Sequence, residues 1–98
     1  MDAGVQRAVT GLEESRAKLR EEAVVPLRVR REAVPAADEH LLLGAIAELM
    51  ESLQELTDVT GDRRTTPDAG LALTTAAGRL AGTAELLRAA EQRARKNA

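Results

Sequence analysis

The chain has 98 residues, a formal net charge of −2, no cysteine and no Phe, Tyr or Trp. These figures exclude disulfides, thiolate metal sites and cysteine nucleophiles. They also exclude aromatic stacking on bases and aromatic cages for cations. One small helical domain spanning 1–98 is expected. Its core must come from 14 Leu, 7 Val, one Ile, 2 Met and 19 Ala.

The first helix is expected at about 4–33. Val5, Val9, Leu12, Leu19 and Ala23 fall on one helical face, with Arg16 in its middle. The Arg16 stem must then lie over the core edge with its head in water. Pro26 lacks a backbone N–H and its ring clashes with the preceding turn, so the helix is expected to kink or break there. An extended stretch is the alternative, because Val25, Leu27 and Val29 alternate with Pro26, Arg28 and Arg30.

The second helix is expected at about 38–60. Leu42, Ile46, Leu49, Leu53 and Leu56 follow a 4-3-4-3 spacing, the rhythm of a helix packed on helices. Glu48, Glu51, Glu55 and Asp58 form a nearly opposite acidic stripe. Asp38 and Glu39 suit the positive end of the helix dipole. Gly61 is placed to end the helix in the left-handed conformation.

The third helix is expected at about 67–96, with Thr66 as cap and Pro67 at the first helical position. Leu73, Ala77, Leu80, Ala84 and Leu87 repeat the 4-3-4-3 spacing. Leu71, Gly78, Gly82, Leu86 and Ala89 form a second, almost uncharged face. Each mid-helix glycine costs about 1 kcal/mol against alanine. Close approach by another helix would offset that cost. The fold class that follows is all-α: an antiparallel three-helix bundle, its first helix kinked or broken near Pro26. The alternative is a helical homo-oligomer that buries the spare faces between chains.

Charge is uneven along the chain. Residues 1–34 carry 7 basic and 6 acidic groups, 35–61 carry 6 acids and no Lys or Arg, and 62–98 carry 7 basic and 4 acidic groups. The candidate protein interface is Leu43, Met50, Leu71, Gly78, Gly82 and Leu86. Candidate phosphate contacts are Arg28, Arg30, Arg31, Arg93, Arg95 and Lys96.

No phosphate-loop or nucleophile-elbow motif occurs. His40, the only histidine, has Leu43 and Gly44 at the positions where a second helical ligand would stand. No enzyme activity, metal or cofactor is expected. The partner expected is a protein, most simply a second copy, with nucleic acid as the alternative. The start of the chain has no signal-like pattern and no apolar run is long enough to span a bilayer, so the expected location is the cytoplasm. Heavy use of Ala, Arg, Glu and Leu suggests a bacterial source.

Overall fold

The computed structural model describes residues 2–63 and 66–97, and all its regular structure is helical. The chain divides into two compact units, Met1–Ala33 and Val34–Ala98.

The first unit holds α1 (Ala3–Leu19), a π-helical turn (Arg20–Val24) and α2 (Val25–Val29). Asp2 caps α1, its Oδ1 accepting from the Val5 N–H at 3.0 Å. The π-helical turn meets the needs of Pro26. The Val25 N–H donates to the carbonyl of Arg20, five residues back rather than four. That wider turn gives the proline ring room beside a carbonyl it would otherwise strike. The extended alternative for Val25–Val29 therefore does not occur.

The first helical stretch ends at Val29, short of the expected 33. Arg30 is extended, with φ −67° and ψ 133°. Two features favour this early stop. The Arg30 Nε donates to the Glu32 carbonyl at 3.1 Å. Val34 precedes Pro35, and a residue before proline is steered out of the helical region.

The second unit is a pair of long helices, α3 (Ala36–Asp62) and α4 (Pro67–Asn97). The Pro35 carbonyl starts α3 by accepting from the N–H groups of Asp38 at 2.9 Å and Glu39 at 3.1 Å. At the far end the expected left-handed glycine is absent. Gly61 is helical, and no described glycine has a positive φ. A Cβ on Gly61 would lie 3.7 Å from the Leu73 Cβ of α4. This glycine thus stands against the neighbouring helix instead of ending its own. Between the helices, Arg64 and Thr65 lie outside the described residues.

Three pairs fix the direction of packing. Gly44 lies against Glu91, Glu51 bonds Arg88, and Gly61 lies against Leu73. The order reverses along the two helices, so α3 and α4 are antiparallel. Their seam is built from small residues. On α4 the buried positions are Gly70, Ala77, Ala84 and Glu91, spaced by seven. On α3 Ala47 is fully buried, at 0% exposure. Leu73, Leu80 and Leu87 flank this line half-buried, as their spacing predicts.

The expected core stripe of α3 is not the seam. Ile46, Leu49 and Leu56 are exposed, and Leu42 and Leu53 only half-buried. At about 100° per residue their stripe centres roughly 140° away from Ala47. Small side chains allow the two backbones to approach closely, which a line of leucines would prevent. The consequence is an open core: among the described residues, no large side chain is fully buried.

Candidate interaction surface

Rotation away from the seam in one sense leads to a polar side. Glu48, Glu51 and Glu55 lie there on α3, and Glu85, Arg88 and Gln92 on α4. Arg88 bridges the helices, its Nη2 donating to Glu51 Oε1 at 2.6 Å and its Nε to Glu51 Oε2 at 3.3 Å. This two-pronged hydrogen bond holds the Glu51 carboxyl below its ordinary pKa and raises that of Arg88, while partial burial opposes both shifts. The acids Glu48 and Glu91 add to the pull on Arg88. An open hollow of about 480 Å³ runs beside this pair, floored by Ala81 and Ala84.

A second hollow, about 300 Å³, lies at the end of the hairpin, lined by His40, Gly44, Glu48, Arg88, Glu91 and Arg95. Glu91 is 6% exposed and stands in the seam where the heptad spacing calls for a small apolar residue. Gly44 leaves room for its stem, and Arg95, one turn on, donates to its Oε1. The His40 Nδ1 is buried without a hydrogen-bond partner. Among the described residues no group of three or more His, Asp or Glu is placed to hold a metal ion.

Rotation in the opposite sense leads to an apolar side. Leu43, Ile46, Met50 and Leu53 lie there on α3, and Leu80 and Leu87 on α4. In an antiparallel pair, equal rotations in the same sense from the seam fall on one side of the hairpin. These six residues therefore line a single shallow groove. None of them is buried, and Ile46 is 37% exposed.

The candidate interface residues separate into two places. Leu43 and Met50 are half-buried along the groove. Leu71, Gly78, Gly82 and Leu86 lie together on the face of α4 turned away from the seam. Leu71 is 74% and Leu86 73% exposed, and a Cβ on either glycine would meet nothing within 4 Å. Within the described chain, then, no close contact accounts for these two glycines.

The basic candidates are more scattered. Arg28, Arg30 and Arg31 are exposed in the first unit. Arg93 and Lys96 are exposed and one helical turn apart on α4, whereas Arg95 is turned to Glu91.

Sequence reasoning missed the groove and the buried Glu91. The period Gly70–Ala77–Ala84–Glu91 was the signal available for both. Comparison with family models, curated proteins and solved structures gives no match. No helix of the described residues is long and apolar enough to cross a membrane.

Proposed function

We propose that this chain is a non-enzymatic protein–protein interaction module, a small helical adaptor or regulatory subunit that works in the cytoplasm. One observation carries the reading: two leucines about three-quarters exposed on one face of α4, with two open glycines between them. An almost uncharged face of this kind suits contact with another helix, and the glycines allow close approach. The charge split, acidic α3 against basic α4, adds orientation rather than affinity. An antiparallel three-helix bundle or a helical homo-oligomer belongs to the same reading, since either would cover leucines that the hairpin alone leaves in water.

Leu71→Glu and Gly82→Leu test it. Both should abolish association through the α4 face while leaving far-ultraviolet circular dichroism unchanged. Unchanged association in both variants would remove this face from the interface. Association lost on raising salt from about 50 to 200 mM would instead favour the alternative, a nucleic-acid-associated regulator with phosphate contacts by Arg28, Arg30, Arg31, Arg93, Arg95 and Lys96.

A further inference from the structure

We infer that the apolar groove between α3 and α4 docks the same groove of a second copy, making a four-helix bundle from two hairpins. The inference rests on the module reading above but uses a different face.

The hairpin has an incomplete core. Among the described residues its buried apolar side chains are only Ala47, Ala77 and Ala84, while Ile46, Leu53, Leu80 and Leu87 stay partly in water. A leucine or isoleucine side chain contributes about 1.5–3 kcal/mol when fully buried. Much of that remains unrealised in a lone hairpin, so a covering surface is favoured.

Charge placement selects the occupant. The groove residues named above are all uncharged. The acids Glu48, Glu51 and Glu55 of α3 lie on the opposite, polar side, where Arg88 already engages Glu51. Two grooves can therefore meet without bringing these acids together. Face-to-face docking about a two-fold axis parallel to the helices places each α3 beside the partner's α4. That neighbour is antiparallel in dipole. The apolar stripe of α1 is the poorer filling, because Arg16 sits at its centre. Burying a guanidinium among leucines without a partner is costly.

The test is sedimentation equilibrium of the full chain with interference detection, since the chain has no Tyr or Trp to absorb. The expected species is a dimer. Thermal unfolding should shift upward with protein concentration, as mass action requires of a stabilising association. Ile46→Glu should weaken dimerisation at least tenfold with helicity retained, and Ile46→Leu should leave it intact. Leu71→Glu, on the other face, should not affect this dimer. A dimer lost in Leu71→Glu but kept in Ile46→Glu would overturn the inference and keep the α4-face reading. The reverse pattern is the expected one: it keeps the inference and leaves the α4 face to contacts other than this dimer. A monomer at all concentrations, with Ile46→Glu lowering only its melting temperature, would overturn the inference and show that the groove is filled within one chain.

Discussion

Gly44 of α3 faces the stem of Glu91 of α4: a Cβ on the glycine would lie 3.6 Å from the Glu91 Cγ. That is ordinary van der Waals contact, so alanine fits. Gly44→Ala should raise hairpin stability by about 1 kcal/mol, the usual gain in helix propensity. Gly44→Leu should lower it, because the longer side chain displaces Glu91 from the seam. Thermal unfolding of both variants checks the pair, and a loss with alanine would show that the helices cannot yield even slightly.

Glu91 itself occupies a buried position otherwise held by glycine and alanine. Its Arg95 partner is largely exposed, so removing the acid strands no buried charge. An apolar replacement for a buried ionic group is often neutral or stabilising by about 1–4 kcal/mol. Glu91→Leu should therefore hold or raise the melting temperature. A marked fall would assign the Glu91–Arg95 pair a larger part in ordering the end of α4.

The Glu51–Arg88 bridge gives the hairpin an acid limb. Glu51 has its pKa lowered in the folded state. Its contribution is therefore complete above the ordinary carboxylate value and is lost as pH falls through the lower, folded one. Melting temperature followed from pH 7 to pH 3 should fall less steeply in Glu51→Gln than in the parent. The effect should be small and should shrink in high salt, because both groups meet water. Identical slopes would show that the bridge does not form in solution.

Pro26 and the π-helical turn before it form one unit. Pro26→Ala restores an N–H and removes the ring, so the turn should relax to ordinary four-residue hydrogen bonding. Circular dichroism should show equal or greater helicity. Hydrogen exchange should show protection at the new residue 26 amide. A persistent five-residue bond from Val25 to Arg20 would mean that the turn has another cause.

Gly11 of α1 and Gly78 of α4 both have open space where a Cβ would stand. Alanine at either should stabilise its helix by about 1 kcal/mol. Gly78→Ala should in addition weaken association through the α4 face, whereas Gly11→Ala should not. Equal behaviour in sedimentation would show that the Gly78 face is not in contact with a partner.

The sequence by itself determined the helical class, the start of α4 at Pro67, and the Leu73–Leu87 face of α4. These follow from local rules: proline placement and a 4-3-4-3 apolar rhythm. It misjudged α3, where two apolar lines compete. The leucine line is more hydrophobic, but the line through Gly44 and Ala47 is smaller. Which one makes the seam depends on the partner helix, and Gly70, Ala77 and Ala84 select the small line by offering a flat surface. Gly61 turned on the same point: it stays helical one residue before the end of α3, with Leu73 opposite it across the seam. Likewise, only tertiary packing turned Glu91 inward and brought Arg88 to Glu51, because contacts between residues 37 apart follow from helix register and not from local spacing.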